Sequence, residues 1–147
     1  MSMEGIRAQI DPFGAAERWA KGQKFELMQW PIKLRKVPVN APFFHKAHLL
    51  VASDCAALCH TQMHRYMTPG RIPVICCPEA DYGTVGTVEQ LAKIIALNDI
   101  RSVTVLCMKT ACCEELADQV QTAIRLSRKR VPIQIIGVFM EAEECDL

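Results

Sequence analysis

The stretch His48-Leu49-Leu50-Val51-Ala52-Ser53-Asp54-Cys55 decides how this chain of 147 residues folds. A short apolar run ends in a polar turn and passes into a helical segment that reads to about Tyr66, where Thr68-Pro69-Gly70 stops it. Working outward, the same unit recurs. Arg71 to Cys77 is a second apolar run, closed by Pro78. Thr87-Val88-Glu89-Gln90 has the spacing of a capping box and opens a helix whose Val88, Leu91, Ala92 and Ile95 share a face. Ser102 to Met108 is a third run. A helix from about Ala111 to Arg128 follows, with Leu116, Val120 and Ile124 four residues apart, and Val131 to Phe139 is the last run. The order is β-α-β-α-β-α-β. Strands this apolar are expected to be buried on both faces, so the sequence predicts a three-layer α/β fold around a mainly parallel four-stranded sheet with right-handed crossovers.

Residues 1–46 have a different texture. Pro12, Pro31, Pro38 and Pro42 alternate with Phe13, Trp19, Phe25, Trp30, Phe43 and Phe44, which reads as an N-terminal arm packing on the domain or on a partner. Within it a short helix is expected near Gly14 to Lys21 and a strand-like piece around Pro31 to Val37. Lys33-Leu34-Arg35-Lys36 reads as a half-solvated edge segment or an interaction patch. Residues 47–140 form the α/β domain and 141–147 an acidic tail.

Half of the residues are apolar, and 17 Lys and Arg face 16 Asp and Glu. This balance builds no field for nucleic acid or an anionic membrane. The apolar runs are strand-sized, short of the roughly 20 residues that span a bilayer. The opening Met1-Ser2-Met3-Glu4 lacks the basic-then-apolar pattern of a secretory signal, so a cytoplasmic location is expected. Eight cysteines in such a setting read as reduced thiols available for metal or redox chemistry.

Ligands of open parallel sheets bind beyond the carboxyl ends of the strands. There the sequence places Cys55 after the first strand, Cys76 and Cys77 at the end of the second, and Cys112 and Cys113 at the start of the helix after the third. Cys107 falls inside a strand. A helix start leaves N–H groups unpaired and favours thiolate at Cys112 and Cys113, while Glu114 and Glu115 oppose it. The plainer reading of such cysteines is small core residues. Along Cys55 to His64, Cys55 and Cys59 lie one helical turn apart, as do His60 and His64. Those histidines have a spacing that clasps zinc, but no glutamate follows His60, which excludes the metalloprotease pattern; a solvated helix face is the alternative. Asp54 either orients a ligand or caps the helix. Glu79 and Asp81 read as supporting carboxylates or as solvated loop. Gly83 and Gly86 match neither the dinucleotide fingerprint nor the phosphate loop. The ligand set expected from these residues is Cys55, His64, Cys77 and one or both of Cys112 and Cys113, with Asp54, Cys59, His60 and Cys76 around them.

Taken together, QWPIKLRKVPVNAPFF (29–44), HLLVASDCAAL (48–58), His64, VICCPEAD (74–81) and VTVLCMKTACCEEL (103–116) resemble a known domain. It is the C-terminal domain of 4Fe-4S ferredoxin-like, iron–sulfur-binding oxidoreductases of anaerobes. The matching positions are Trp30 and Pro31, Asp54 and Cys55, His64, Cys77 and Pro78, and Cys112 with Cys113. The chain departs from that pattern at Cys76, Glu79, Lys109-Thr110-Ala111 and Glu115. It also carries no C-x-x-C-x-x-C run, so it corresponds to a stand-alone version without the ferredoxin module. The resemblance implies an iron–sulfur cluster and electron transfer with a ferredoxin-type or other protein subunit. The thiolate-rich donor set points to the same class, a redox or accessory subunit. Two other readings are a zinc-dependent lyase or hydrolase resembling β-type carbonic anhydrases, and a structural-zinc subunit that docks through its aromatic arm.

Overall fold

Leu49, Leu50, Val51 and Ala52 are all fully buried, which a strand achieves only at the centre of a sheet with both faces covered. The computed structural model describes residues 29–81 and 86–139. In it β1 (His48–Ser53) lies between β2 (Ile72–Cys76) and β3 (Ser102–Met108), and β4 (Ile133–Val138) flanks β3. All pairings are parallel, with Val51 opposite both Val74 and Val105, and Val105 opposite Ile135. The helices are α1 (Asp54–Cys59), α2 (Thr87–Leu97) and α3 (Ala111–Ser127).

Alternation along the strands divides the core. Leu49, Val51, Val74, Val103 and Val105 pack under α2 and α3 with Leu91, Ile94, Leu116 and Val120. Leu50, Ala52 and Leu106 face the other way, against Ala56 of α1 and the buried Met63 and Met67. This is the three-layer α/β arrangement that the apolar runs predict. The chain leaves β1 toward β2 on one side and returns to β3 on the other. The strand order therefore reverses between β1 and β3, and that crevice is where open α/β sheets bind ligands.

Four local readings are corrected. The helix after β1 ends at Cys59, and a π-helical turn, Met63–Met67, replaces its continuation to Tyr66. His60 turns out of the helix with its Nδ1 accepting from the Gln62 N–H at 3.2 Å, and the wider turn lets Met63 and Met67 both reach the sheet. The cap of α1 is Ser53, whose Oγ accepts from the Ala56 N–H at 3.1 Å, so Asp54 is not the N-cap and is left for another role. The expected strand-like piece at Pro31 to Val37 is a single bridge, Lys33 to Ile75, followed by a 3-10 turn, Leu34–Lys36. Leu34 and Val37, three residues apart, both enter the core, which is a 3-10 spacing hidden beneath an alternating pattern. Finally, β4 is largely exposed along its first half, since it is an edge strand. The helix expected near Gly14 to Lys21, the glycine-bearing 82–85 and the acidic tail lie outside the described residues.

The capping-box spacing at Thr87 also serves a different purpose. α2 carries no side-chain cap; the buried Gln90 amide donates instead to the backbone carbonyls of Leu34 and Val37, the latter at 3.0 Å. Asn98 donates to the Val39 carbonyl at 2.8 Å. An amide of α2 and another at its C-cap thus strap residues 34–39 over the core, and Phe44 completes it. Gln90→Leu, which keeps the volume and removes the side-chain donor from the Val37 carbonyl and one of the two donors from the Leu34 carbonyl, is expected to destabilise the fold by about 1–3 kcal/mol. A lower urea midpoint with an unchanged m-value is the expected result; no change in midpoint would show that the strap contributes nothing.

Candidate metal centre

Three chain segments deliver thiols to the crevice between β1 and β3 and its β2 side. Cys55 sits exposed in the first turn of α1, Cys77 half-buried just past β2, and Cys112 and Cys113 in the first turn of α3. All seven cysteines among the described residues are free. Desolvation raises the Cys55 pKa above its ordinary value, and the negative charge of neighbouring thiolates adds to the rise, with Cys113 first, then Cys77, Cys59 and Cys112. The four thiols around it are therefore one electrostatic neighbourhood.

Cys113 is the buried member. Burial pushes its thiol up, but hydrogen bonds from Thr110, Ser53 and Cys112 and from the Met108 backbone outweigh burial and bring it below the ordinary thiol value. Ser53 ends β1 and Thr110 precedes α3, so the groups that stabilise this thiolate come from both sides of the crevice. Thr110 Oγ1 also lies 3.4 Å from Cys112 Sγ.

Cys77 is held differently. Its N–H donates to Asp81 Oδ2 at 2.8 Å, and the Asp81 N–H returns to the Cys77 carbonyl at 2.9 Å. Cys77-Pro78-Glu79-Ala80-Asp81 is thus a closed turn, and within it the Ala80 N–H points at Cys77 Sγ at 3.3 Å. Amide-to-sulfur hydrogen bonds of this kind tune metal-bound thiolates. The carboxylate that closes the turn is itself neutralised. Lys33 Nζ lies 2.6 Å from Asp54 Oδ2 and 3.1 Å from Asp81 Oδ2, and Arg35 stands 3.9 Å from Asp81 Oδ1. Burial would raise the Asp81 pKa; the Cys77 N–H and the charges of Lys33 and Arg35 overcome it and hold the carboxyl below its ordinary value. Lys33 moves up, its partial desolvation outweighed by the two carboxylates.

The remaining expected site residues fall elsewhere. Cys76 packs into the core; burial first, then the nearby carboxylates of Asp81 and Asp54, push its thiol up to about 12, so it stays protonated. Cys107 is buried within β3 and is likewise pushed up. Cys59 is exposed at the end of α1, within reach of Cys55. His60 is occupied with the Gln62 N–H. His64 is exposed and lines a groove of about 270 Å³ with Ile32, Asp54, Leu58, Met63 and Ile75, none of them a cysteine. Among the described residues no three His, Cys, Asp or Glu side chains stand close enough to hold one ion as placed. A shared ion needs side-chain rotation, which the exposed Cys55 and Cys112 allow.

The contribution of Lys33 was not visible in the sequence, where it merges into a basic run.

In dinucleotide-binding sheets the turn after the first strand is glycine-rich so that backbone can approach a pyrophosphate. Here that turn is Ser53-Asp54-Cys55, a polar turn ending in a thiol. The comparisons agree with the architecture. A protein of Archaeoglobus fulgidus, described as uncharacterized, is 29% identical over 98 residues, 67% of this chain and 68% of that protein. No solved structure matches the chain. The profile of a family described as Rossmann-like domain matches residues 41–144, from the end of the strap through all four strands, and the chain belongs to that family.

Proposed function

We propose that this protein is a metal- or iron–sulfur-binding redox or accessory subunit whose centre is held by Cys55, Cys77, Cys112 and Cys113. The observation that carries this reading is the gathering of four thiols from three strand ends at the reversal of strand order, one of them with a lowered pKa. Sulfur-only donor sets select soft ions and iron–sulfur clusters over hard cations. The donors aimed at Cys113 and Cys77 supply the hydrogen bonding to sulfur that such centres use. His64 is left out of the proposed set because it lines a different groove. With no ferredoxin-type motif in the chain, electrons would come from a ferredoxin-type or other protein subunit.

Anaerobic purification or reconstitution with iron and sulfide, followed by metal and acid-labile sulfide analysis and a visible spectrum, tests the reading. Iron and sulfide with broad thiolate-to-iron absorption is the expected result. Stoichiometric zinc without sulfide would replace the cluster by a Cys₄ zinc site, and a protein that retains neither would end the proposal.

A further inference from the structure

Two of the four proposed thiols, Cys55 and Cys77, stand just past the ends of the neighbouring strands β1 and β2, and a carboxylate accompanies each. Asp54 comes directly before Cys55, and Asp81 accepts the Cys77 N–H at 2.8 Å. One ammonium joins the two carboxylates: Lys33 Nζ lies 2.6 Å from Asp54 Oδ2 and 3.1 Å from Asp81 Oδ2. A metal site assembled from separate segments needs its ligand-bearing turns oriented before the ion arrives, and the groups that orient them control affinity.

The Asp54 carboxylate makes no other hydrogen bond among the described residues. Ser53 supplies the cap of α1, and Asp54 Oδ1 is buried without a hydrogen-bond partner, so the ammonium is what holds this side chain. Lys33 in turn is anchored through its backbone. It bridges Ile75 of β2, the preceding Ile32 carbonyl accepts from the Ile75 N–H at 2.9 Å, and its own carbonyl accepts from the Lys36 N–H at 2.8 Å. Its side chain is only 24% exposed, so solvent screens the two ion pairs less than it would on an open surface.

We propose that Lys33 is a positioning residue for the thiol centre: its ammonium clamps the Asp54 and Asp81 carboxylates together and thereby sets the spacing of the Cys55 and Cys77 segments. The inference rests on the thiol-centre reading and adds to it a control exerted from outside the thiol-bearing segments. Without the ammonium, like charge drives the two carboxylates apart and carries the segments of Cys55 and Cys77 with them.

The full chain is loaded in parallel with Co(II) alone and with iron and sulfide, and metal retention is titrated against a chelator; amide hydrogen exchange is followed on the apo protein. Lys33→Met is expected to weaken retention of whichever load the wild type holds by roughly tenfold or more, the usual cost of losing a group that orients a ligand. It should also speed exchange of the Cys77 and Asp81 amides about tenfold through local opening of their turn. Ile94→Ala opens a cavity in the core beneath α2 and leaves the clamp intact, so it should lower stability and move neither readout. Lys33→Met with Asp81→Asn restores the wild-type net charge and keeps an acceptor for the Cys77 N–H, but has no clamp, and should bind as weakly as Lys33→Met. Unchanged retention or unchanged exchange in Lys33→Met, equal losses in Ile94→Ala, or recovery of binding in the double variant would each overturn the proposal and leave the thiol centre standing. A wild type that holds neither load would overturn the centre itself, and the role of the clamp with it.

Discussion

Replacing Lys33 with methionine is expected to destabilise the protein by about 2–3 kcal/mol at neutral pH. Methionine keeps an aliphatic stem of similar length, so the packing loss is small and the change reports the charge. What is lost is the ammonium 3.1 Å from the buried Asp81 carboxylate and 2.6 Å from an Asp54 carboxylate one of whose oxygens already lacks a hydrogen-bond partner. The Asp81 effect dominates because Asp54 is 39% exposed and water screens it. The pH dependence follows from the directions of the shifts. Asp81 is depressed in the fold, so its stabilisation is present above its ordinary value of 3.8 and is lost as pH falls through the lower folded value. Lys33 is raised, so its part is complete below 10.5 and is lost as pH rises through the higher folded value. The gap between wild type and Lys33→Met in urea unfolding should therefore be widest between those limits and narrow toward both acid and alkaline extremes. A gap that stays constant from neutral pH into strong acid would mean that Lys33 acts by packing and not by charge.

The fold was legible because its information is local and repeated. β3 occupies Ser102–Met108 as its apolar run predicts, and α3 follows its four-residue period almost to the end. That Cys55, Cys77, Cys112 and Cys113 stand at one end of the sheet was legible for a topological reason: each follows a strand, and parallel strands end on one side. What was hidden depends on contacts between distant segments. Gln90 looks like a capping residue until its carbonyl partners at Leu34 and Val37 are known. Lys33 looks solvated until Asp54 and Asp81 arrive from two other strand ends. His60 and His64 lie one helical turn apart only if the helix continues, and burial of both Met63 and Met67 is served by a wider turn instead. The exposure of β4 reflects strand order, which hydrophobic pattern does not encode.

Serine at Cys113 is expected to cost on the order of a hundredfold in affinity for a thiolate-bound metal. Structural zinc in small domains contributes about 10–16 kcal/mol, so each of four thiolates accounts for roughly 3 kcal/mol, or two decades. Serine retains the shape and the hydrogen-bonding partners offered by Ser53 and Thr110, so the apo fold should survive and the loss should lie in binding. Cys77→Ser should do the same through a different segment, leaving the Asp81 closure of its turn intact. Cys76→Ala and His64→Ala are the controls: the first removes a protonated core thiol and the second an exposed imidazole on another groove, and neither should change affinity. The order of deprotonation adds a second signature. Cys113, below the ordinary thiol value, is available before Cys55, which lies above it, so loading should release protons and strengthen as pH rises toward the Cys55 titration. Cys113→Ser should weaken binding across that whole range, whereas Cys55→Ser should flatten its upper part. Equal loss from His64→Ala and Cys113→Ser would instead place the ion between the groove and the crevice. The Met63–Met67 turn would then have to move to bring the imidazole to the thiols.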